Sequence, residues 1–352
     1  MVEALAKEIE LRKEEFKNNT VETIYFGGGT PSVLTIDELR FLIKTVYKNY
    51  KVSDNPEITI EANPDDLMSV RAQSRTIFEG YLAIGINRLS IGIQSFFEDD
   101  LKLMNRAHNA EEARQCLSVA TRHFDNISVD LIYGIQNSTN EKWLQNIETV
   151  LSFGIPHISS YALTVEPKTA LASFIEKGII EDVDDELAHE QFHVLKEKLE
   201  AEGFVHYELS NFGREGYFSK NNTAYWQGKS YIGIGPSAHS FNGKQRGWNV
   251  RNNSKYIQSI QNKVLPIEIE SLTNIDRYNE CVMTGLRTMF GISLEKIETD
   301  FGTDYKKHLL DYAQIFINQH LLYIDEGHLK ATKEGQFLTD GISSELFKLN
   351  IS

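Results

Sequence analysis

Thr23-Ile24-Tyr25-Phe26-Gly27-Gly28-Gly29-Thr30-Pro31-Ser32-Val33-Leu34-Thr35-Ile36-Asp37-Glu38 reads as a short apolar strand, a glycine-rich turn and the start of a helix. Thr35 with Glu38 three residues on is a capping-box pattern, and Leu39, Leu42, Ile43 and Val46 continue it as an apolar helical stripe. The rhythm recurs with strands expected near Glu57–Glu61, Arg88–Ile93, Ser128–Tyr133 and His157–Ala162. Helical stretches such as Trp143, Ile147 and Val150, or Phe192, Leu195 and Leu199, follow them. Strands alternating with helices imply a parallel sheet with helices outside it. Val2, Leu5, Ile9 and Phe16 fall on one face of an amphipathic helix ahead of the first strand. Five strands behind an unpaired helix predict an α/β fold, a partial (β/α)6 barrel without its first strand.

Around residues 204–256 the pattern shifts to a Gly-, Asn- and aromatic-rich stretch containing GKSYIGIGPSAHSFNG, read as short strands and loops extending the barrel edge. From about Asn274 a helical pattern with Tyr278, Val282 and Leu286 leads to further helices and a hairpin at Asp325–Glu326–Gly327, together a small winged-helix-like module. The expected division is a barrel core at 1–205, an edge extension at 206–270 and a C-terminal domain at 271–352.

A chain of 352 residues, 41% hydrophobic, can build one large core and a smaller second one. Its 36 basic against 50 acidic residues, a net charge of -14, argue against non-specific nucleic-acid binding. The chain contains no apolar run of about 18 residues, and MVEALAKEIE carries acids where a signal peptide carries a basic segment. A cytoplasmic protein without a transmembrane segment is expected. Cys116 and Cys281 lie far apart and suggest neither a disulfide framework nor a cysteine metal site.

Gly27-Gly28-Gly29-Thr30-Pro31 allows the backbone to approach a ligand closely, or simply makes a tight turn; it matches neither a dinucleotide fingerprint nor a P-loop. The next strands end in Ile60-Glu61-Ala62-Asn63-Pro64 and Gly92-Ile93-Gln94-Ser95-Phe96, and the fourth contains Asp130 within SVDLIYG. A carboxylate in such an apolar run has to be paired or ligand-facing. Arg106, in LMNRAH, is either a solvated helix-face residue or a fork for a carboxylate.

YFGGGTPS, IEANPDD, RLSIGIQSF, LMNRAH and VDLIYGIQ, in this order, resemble the radical S-adenosylmethionine branch that holds oxygen-independent coproporphyrinogen III oxidases and HemW-type haem chaperones. The resemblance implies that Gly28, Gly29 and Thr30 meet the methionyl amine and carboxylate of S-adenosylmethionine and that Arg106 pairs with the carboxylate. Glu61, Gln94 and Asp130 would hold the ribose and the reactive end. Asn221-Asn222-Thr223-Ala224-Tyr225-Trp226 followed by GIGPSAHSF is similar to the haem-chaperone signature His-Asn-x-x-Tyr-Trp, with Asn221 where that signature has its histidine. His239, Tyr225 and Asn221 are the haem candidates it implies, His239 being the better iron ligand because a carboxamide is a poor one. The C-terminal TGLRTMFGISLEKIETDFG and LLYIDEGHLKATKEGQFLTDGISSELF also look like this family's C-terminal domain, expected to be structural or partner-docking.

The family's Cys-x-x-x-Cys-x-x-Cys loop, which binds a 4Fe-4S cluster, has no counterpart here, and Cys116 and Cys281 cannot replace three thiolates on one loop. The expectation is a polypeptide without radical chemistry or a metal site of its own, more consistent with an N-terminally shortened family member than with a degenerate one. The resemblance implies a haem chaperone that delivers haem to acceptor proteins, membrane-associated ones among them. The alternative is oxidative decarboxylation of coproporphyrinogen III in haem synthesis.

Overall fold

In the strands, apolar and polar residues alternate, and that period of two decides what each face of the sheet becomes. The computed structural model describes residues 1–68, 74–165, 167, 169–178 and 180–349. Strands β1 (Thr20–Phe26), β2 (Lys51–Ala62), β3 (Arg88–Gln94), β4 (Ile127–Tyr133), β5 (His157–Ala162), β6 (Val205–Glu208) and β7 (Asn211–Gly213) form one sheet in the order β1-β2-β3-β4-β5-β7-β6. β1 to β5 are parallel neighbours. β7 is antiparallel to both β5 and β6, so six strands share one direction, as the partial barrel requires.

The outer face of this sheet carries Ile58, Ile60, Leu89, Ile91, Ile93, Val129, Leu131 and Ile158, all buried in the main core against Leu39, Phe78, Leu117, Trp143, Ile147 and Leu195 of the surrounding helices. Each such side chain contributes about 1.5–3 kcal/mol through burial. The inner face is polar. Tyr25, Glu61, Arg88, Ser90, Ser128, Asp130, Ser159 and Tyr161 line a cavity of about 50 Å³.

The opening helix, Val2–Leu11, buries Ala6 and Ile9 against Leu42, and Ala4 against Tyr256 and Ile260. It stops before Phe16, which lies half-exposed in the separate turn Lys13–Phe16, so the expected apolar face is one residue shorter. Glu8 and Arg12 are buried beside it, 0% and 2% exposed, and bond the loop that carries GIGPSAH.

Beyond the barrel, β8 (His239–Phe241), β9 (Gln245–Asn249) and β10 (Ile267–Ser271) form a separate antiparallel sheet. The stretch expected as strands and loops also contains a helix, Lys220–Trp226. Ser219 caps it through Asn222 N–H (3.2 Å), and the Glu57 carboxylate accepts from the N–H groups of Lys220 and Asn221 (3.1 Å each), an anion at the positive end of a helix. The C-terminal module has its own core of Tyr278, Val282, Leu286, Ile297, Leu309, Leu322 and Leu329. Its sheet β11-β13-β12 comprises β11 (Ile292–Ser293), β12 (Leu322–Asp325) and β13 (His328–Ala331). The expected hairpin turns through Glu326 (φ 45°) and Gly327 (φ 75°), both left-handed as a two-residue turn demands. Among the described residues no helix is long and apolar enough to cross a membrane.

Candidate functional site

After β1 the chain passes through Gly28 (φ 69°) and Gly29 (φ 61°), where only glycine is unstrained, and a Cβ at either would meet nothing within 4 Å. The result is an open backbone cradle. Gly28 N–H donates to Glu61 Oε2 (3.1 Å) and the Tyr25 hydroxyl donates to Glu61 Oε1 (2.8 Å), tying the ends of β1 and β2 together. Burial, then Glu61, raise the Tyr25 phenol far above its ordinary range, which keeps it a donor. Each Glu61 oxygen retains a second lone pair for a ligand. Thr30 sits half-buried on the same loop, just before the turn Pro31–Val33.

β3 leaves its ladder through a bulge. The register with β4 slips between Gly92 and Gln94, and Gln94 takes φ 69°, a conformation non-glycine residues adopt at a cost and often at functional sites. Gly92 makes room for what surrounds it: a Cβ there would stand 2.9 Å from Gln94 Nε2, 3.1 Å from Arg106 Nη2 and 3.4 Å from Asn63 Oδ1. Arg106 Nη2 donates to Asn63 Oδ1 (2.8 Å) and to the Gly92 carbonyl (3.2 Å), which aims the fork across the strand ends. Desolvation lowers the guanidinium's pKa, opposed by Asp65 and Asp130. On β4, Asp130 accepts from Ser90 Oγ (3.3 Å) and is pushed up to about 7, first by desolvation and then by Glu61. Glu61 thus joins the glycine loop to the inner-face cavity it shares with Asp130; Arg106 and Gln94 meet at Gly92 on the next strand, and Thr30 stays on the loop.

Deeper in the barrel lies a layer that the sequence reading missed. Arg88 is 2% exposed, its Nε is 3.9 Å from Glu57 Oε2, and that Nε has no hydrogen-bond partner among the described residues. His157 bridges Ser128 Oγ (Nδ1, 2.7 Å) and the Tyr207 hydroxyl (Nε2, 2.7 Å), and burial holds its pKa well below the ordinary value. Glu208 is raised to about 7, first by desolvation. The signal was available: Glu57-x-Thr59-x-Glu61, Arg88-x-Ser90-x-Gly92-x-Gln94, Ser128-x-Asp130 and His157-x-Ser159 place polar groups on one face of consecutive strands.

The haem candidates separate. Asn221 is buried, and its side-chain carbonyl accepts from Thr23 Oγ1 at 3.1 Å while its N–H goes to Glu57, so it anchors its helix to β1 and β2. Tyr225 is 46% exposed and packs edge-on to Tyr231 (4.5 Å between ring centroids), which pairs with Phe241 in a β-bridge. His239 is exposed on β8, two residues before Phe241, with Trp248 across the ladder at 6.3 Å. Tyr225, Tyr231, Phe241, His239 and Trp248 thus form one aromatic strip with an imidazole in it. Cys116 is fully buried in the main core, its thiol raised to about 12 by desolvation, and Cys281 belongs to the C-terminal module; with Cys116 closed off, no three-thiolate set can form.

A family model described as the radical SAM superfamily matches residues 2–150, and one described as the HemN C-terminal domain matches residues 272–338. The heme chaperone HemW of Bacillus subtilis (strain 168) is 32% identical over 321 residues, 90% of this chain and 83% of the relative. HemW of Mycobacterium tuberculosis (strain H37Rv) is 30% identical over 96% of this chain and 84% of its own. The solved coproporphyrinogen III oxidase HemN of Escherichia coli, a radical SAM enzyme, superposes with a TM-score of 0.80 at 22% identity, covering 98% of this chain and 82% of that one, which establishes the half-barrel fold with its C-terminal domain. With that fold, those two domain matches and those relatives, the chain belongs to the HemW family of the radical SAM superfamily.

Proposed function

We propose that this protein is a haem chaperone, binding haem at the Tyr225–Trp248 strip and passing it to acceptor proteins, membrane-associated ones among them, from the cytoplasm. The observation that carries the reading is the exposed imidazole of His239 set among exposed and half-buried rings, in a chain whose relatives bear the HemW name. A porphyrin offers a flat apolar face to such rings, and its iron takes an imidazole nitrogen. Asn221, buried and bonded to Thr23, serves the site by fixing the helix that presents Tyr225.

The radical SAM family implies S-adenosylmethionine and a 4Fe-4S cluster as cofactors. The residues present fit the first. The Gly28–Gly29 cradle would receive the methionyl end, Arg106 its carboxylate, and Glu61 and Asp130 the ribose hydroxyls, each carboxylate oxygen accepting more than one hydrogen bond. Thr30 would add a hydroxyl on the cradle loop, and Gln94 an amide at the reactive end. When bound, the cofactor supplies a sulfonium. Asp130, near half-protonation at neutral pH, can accept from or donate to the bound molecule, and the Tyr25 hydroxyl holds Glu61 in one orientation. Cys116 and Cys281, in two separate cores, do not fit the cluster, and no step is placed on it.

Titration of the full chain with haem tests the proposal. A saturable Soret shift is expected, weakened at least tenfold in His239→Ala and little changed in His328→Ala, whose ring lies in the C-terminal module. A wild-type chain without saturable Soret change would overturn it.

A further inference from the structure

Helix Asp185–Ala201, between β5 and β6, contains His189-Glu190-Gln191-Phe192-His193. Residues four apart face each other on a helix. Here the two Nε2 atoms converge to 3.3 Å, with ring centroids 4.5 Å apart and planes at 76°. Two imidazole nitrogens bound to one tetrahedral zinc at 2.0–2.1 Å stand about 3.3–3.4 Å apart, the spacing observed; a trans pair on a haem iron would need about 4 Å. Both rings reach solvent, His189 exposed and His193 half-buried.

We infer that His189 and His193 form an open two-imidazole site for a borderline-soft divalent cation of the Zn²⁺, Ni²⁺ and Cu²⁺ class, with water completing the shell. The sequence matches a metallopeptidase helix, yet the chemistry differs. Glu190 accepts from Asn140 Nδ2 (3.3 Å), and among the described residues no third His, Cys, Asp or Glu completes a ligand set.

Its place in the fold gives binding a structural readout. Gln191, between the two histidines, accepts Gly134 N–H on its Oε1 (2.7 Å) and Trp143 Nε1–H on its main-chain carbonyl (2.8 Å). Gly134 is the residue after β4, the strand of Asp130. An ion clipping positions 189 and 193 stiffens the turn that holds the end of that strand.

The test is calorimetry of the full chain with ZnCl₂, and electron paramagnetic resonance with CuCl₂. One ion per chain is expected, with nitrogen hyperfine structure from two imidazoles, and affinity at least tenfold weaker in His189→Ala and in His193→Ala alike. Glu190→Gln is expected to bind within twofold of wild type. Zinc should slow Gly134 amide hydrogen exchange in wild type and leave it unchanged in His189→Ala, whose exposed side chain can be replaced without loss of fold. Unchanged affinity in either histidine variant, or a copper spectrum with one nitrogen, overturns the inference in favour of a plain His–His hydrogen bond.

Discussion

Replacing Arg12 by Met removes a buried cation 3.2 Å from the Glu8 carboxylate, both side chains being almost wholly excluded from water. At an effective dielectric of about 20 the attraction at that distance is about 5 kcal/mol, and breaking a buried pair at one end typically costs about 3–5 kcal/mol. Glu8 keeps three donors, Gly235 N–H (2.8 Å), Asn249 Nδ2 (2.8 Å) and the Tyr256 hydroxyl (2.6 Å), which places the expected loss near 3 kcal/mol, the lower part of that range. Adding Glu8→Gln to Arg12→Met removes the stranded charge. The double variant should therefore be more stable than the summed single losses by about 2 kcal/mol. Urea unfolding of the four proteins, at low and high salt, measures this coupling, and salt should change it little because the pair is buried. Single-variant losses that add to within about 0.5 kcal/mol, or an Arg12→Met loss below about 1 kcal/mol, would refute the electrostatic account. Arg12 also holds the Gly233 carbonyl (2.8 Å) and Ser240 Oγ (3.0 Å), so the same variant should weaken haem binding at His239.

Gly92→Ala places a methyl against Arg106 and Gln94 without a forbidden backbone angle, and should weaken S-adenosylmethionine binding roughly tenfold or more through loss of one charged hydrogen bond, read by equilibrium dialysis, with little change in thermal midpoint. Glu208 has its pKa raised to about 7 in the fold against about 4.3 unfolded, so the folded state binds the extra proton between those values and this group's contribution to stability falls as pH rises through that window. Glu208→Gln should accordingly gain on wild type by a few kcal/mol from pH 4.5 to pH 8 in denaturant titrations, and a constant difference would count against the raised pKa. Gly291 holds φ 71° with its Cβ position 2.6 Å from the Leu329 carbonyl oxygen; Gly291→Ala should cost at least about 2 kcal/mol, seen as a lowered melting point.

The barrel strands were legible because apolar residues recur at every second position between turn residues, and the glycine turn announced itself by composition. The helix Lys220–Trp226 was not, since beside its local Ser219 cap its start is held by a carboxylate 163 positions away, Glu57. Arg106 and Asp130 could be named as chemistry-bearing from their contexts. Asn63, just past β2, and Ser90, within β3, orient them, and that role appears only when β2, β3 and β4 lie side by side. Glu8 and Arg12 looked like one more charged turn of an amphipathic helix; the partners that bury them, Asn249 and Tyr256, come from the far side of the barrel in sequence.

The polar inner face alters how this half-barrel can change over time. In a barrel packed with aliphatic layers, every inward substitution must conserve volume or leave a void. Here the lumen is lined by hydroxyls, carboxylates and a guanidinium, so an inward residue can be exchanged for another polar one with its difference in size made up by solvent. The outer faces carry the packing and the inner faces carry the chemistry, and selection can act on the two nearly independently. That separation makes the lumen the natural place to engineer a new ligand into the scaffold.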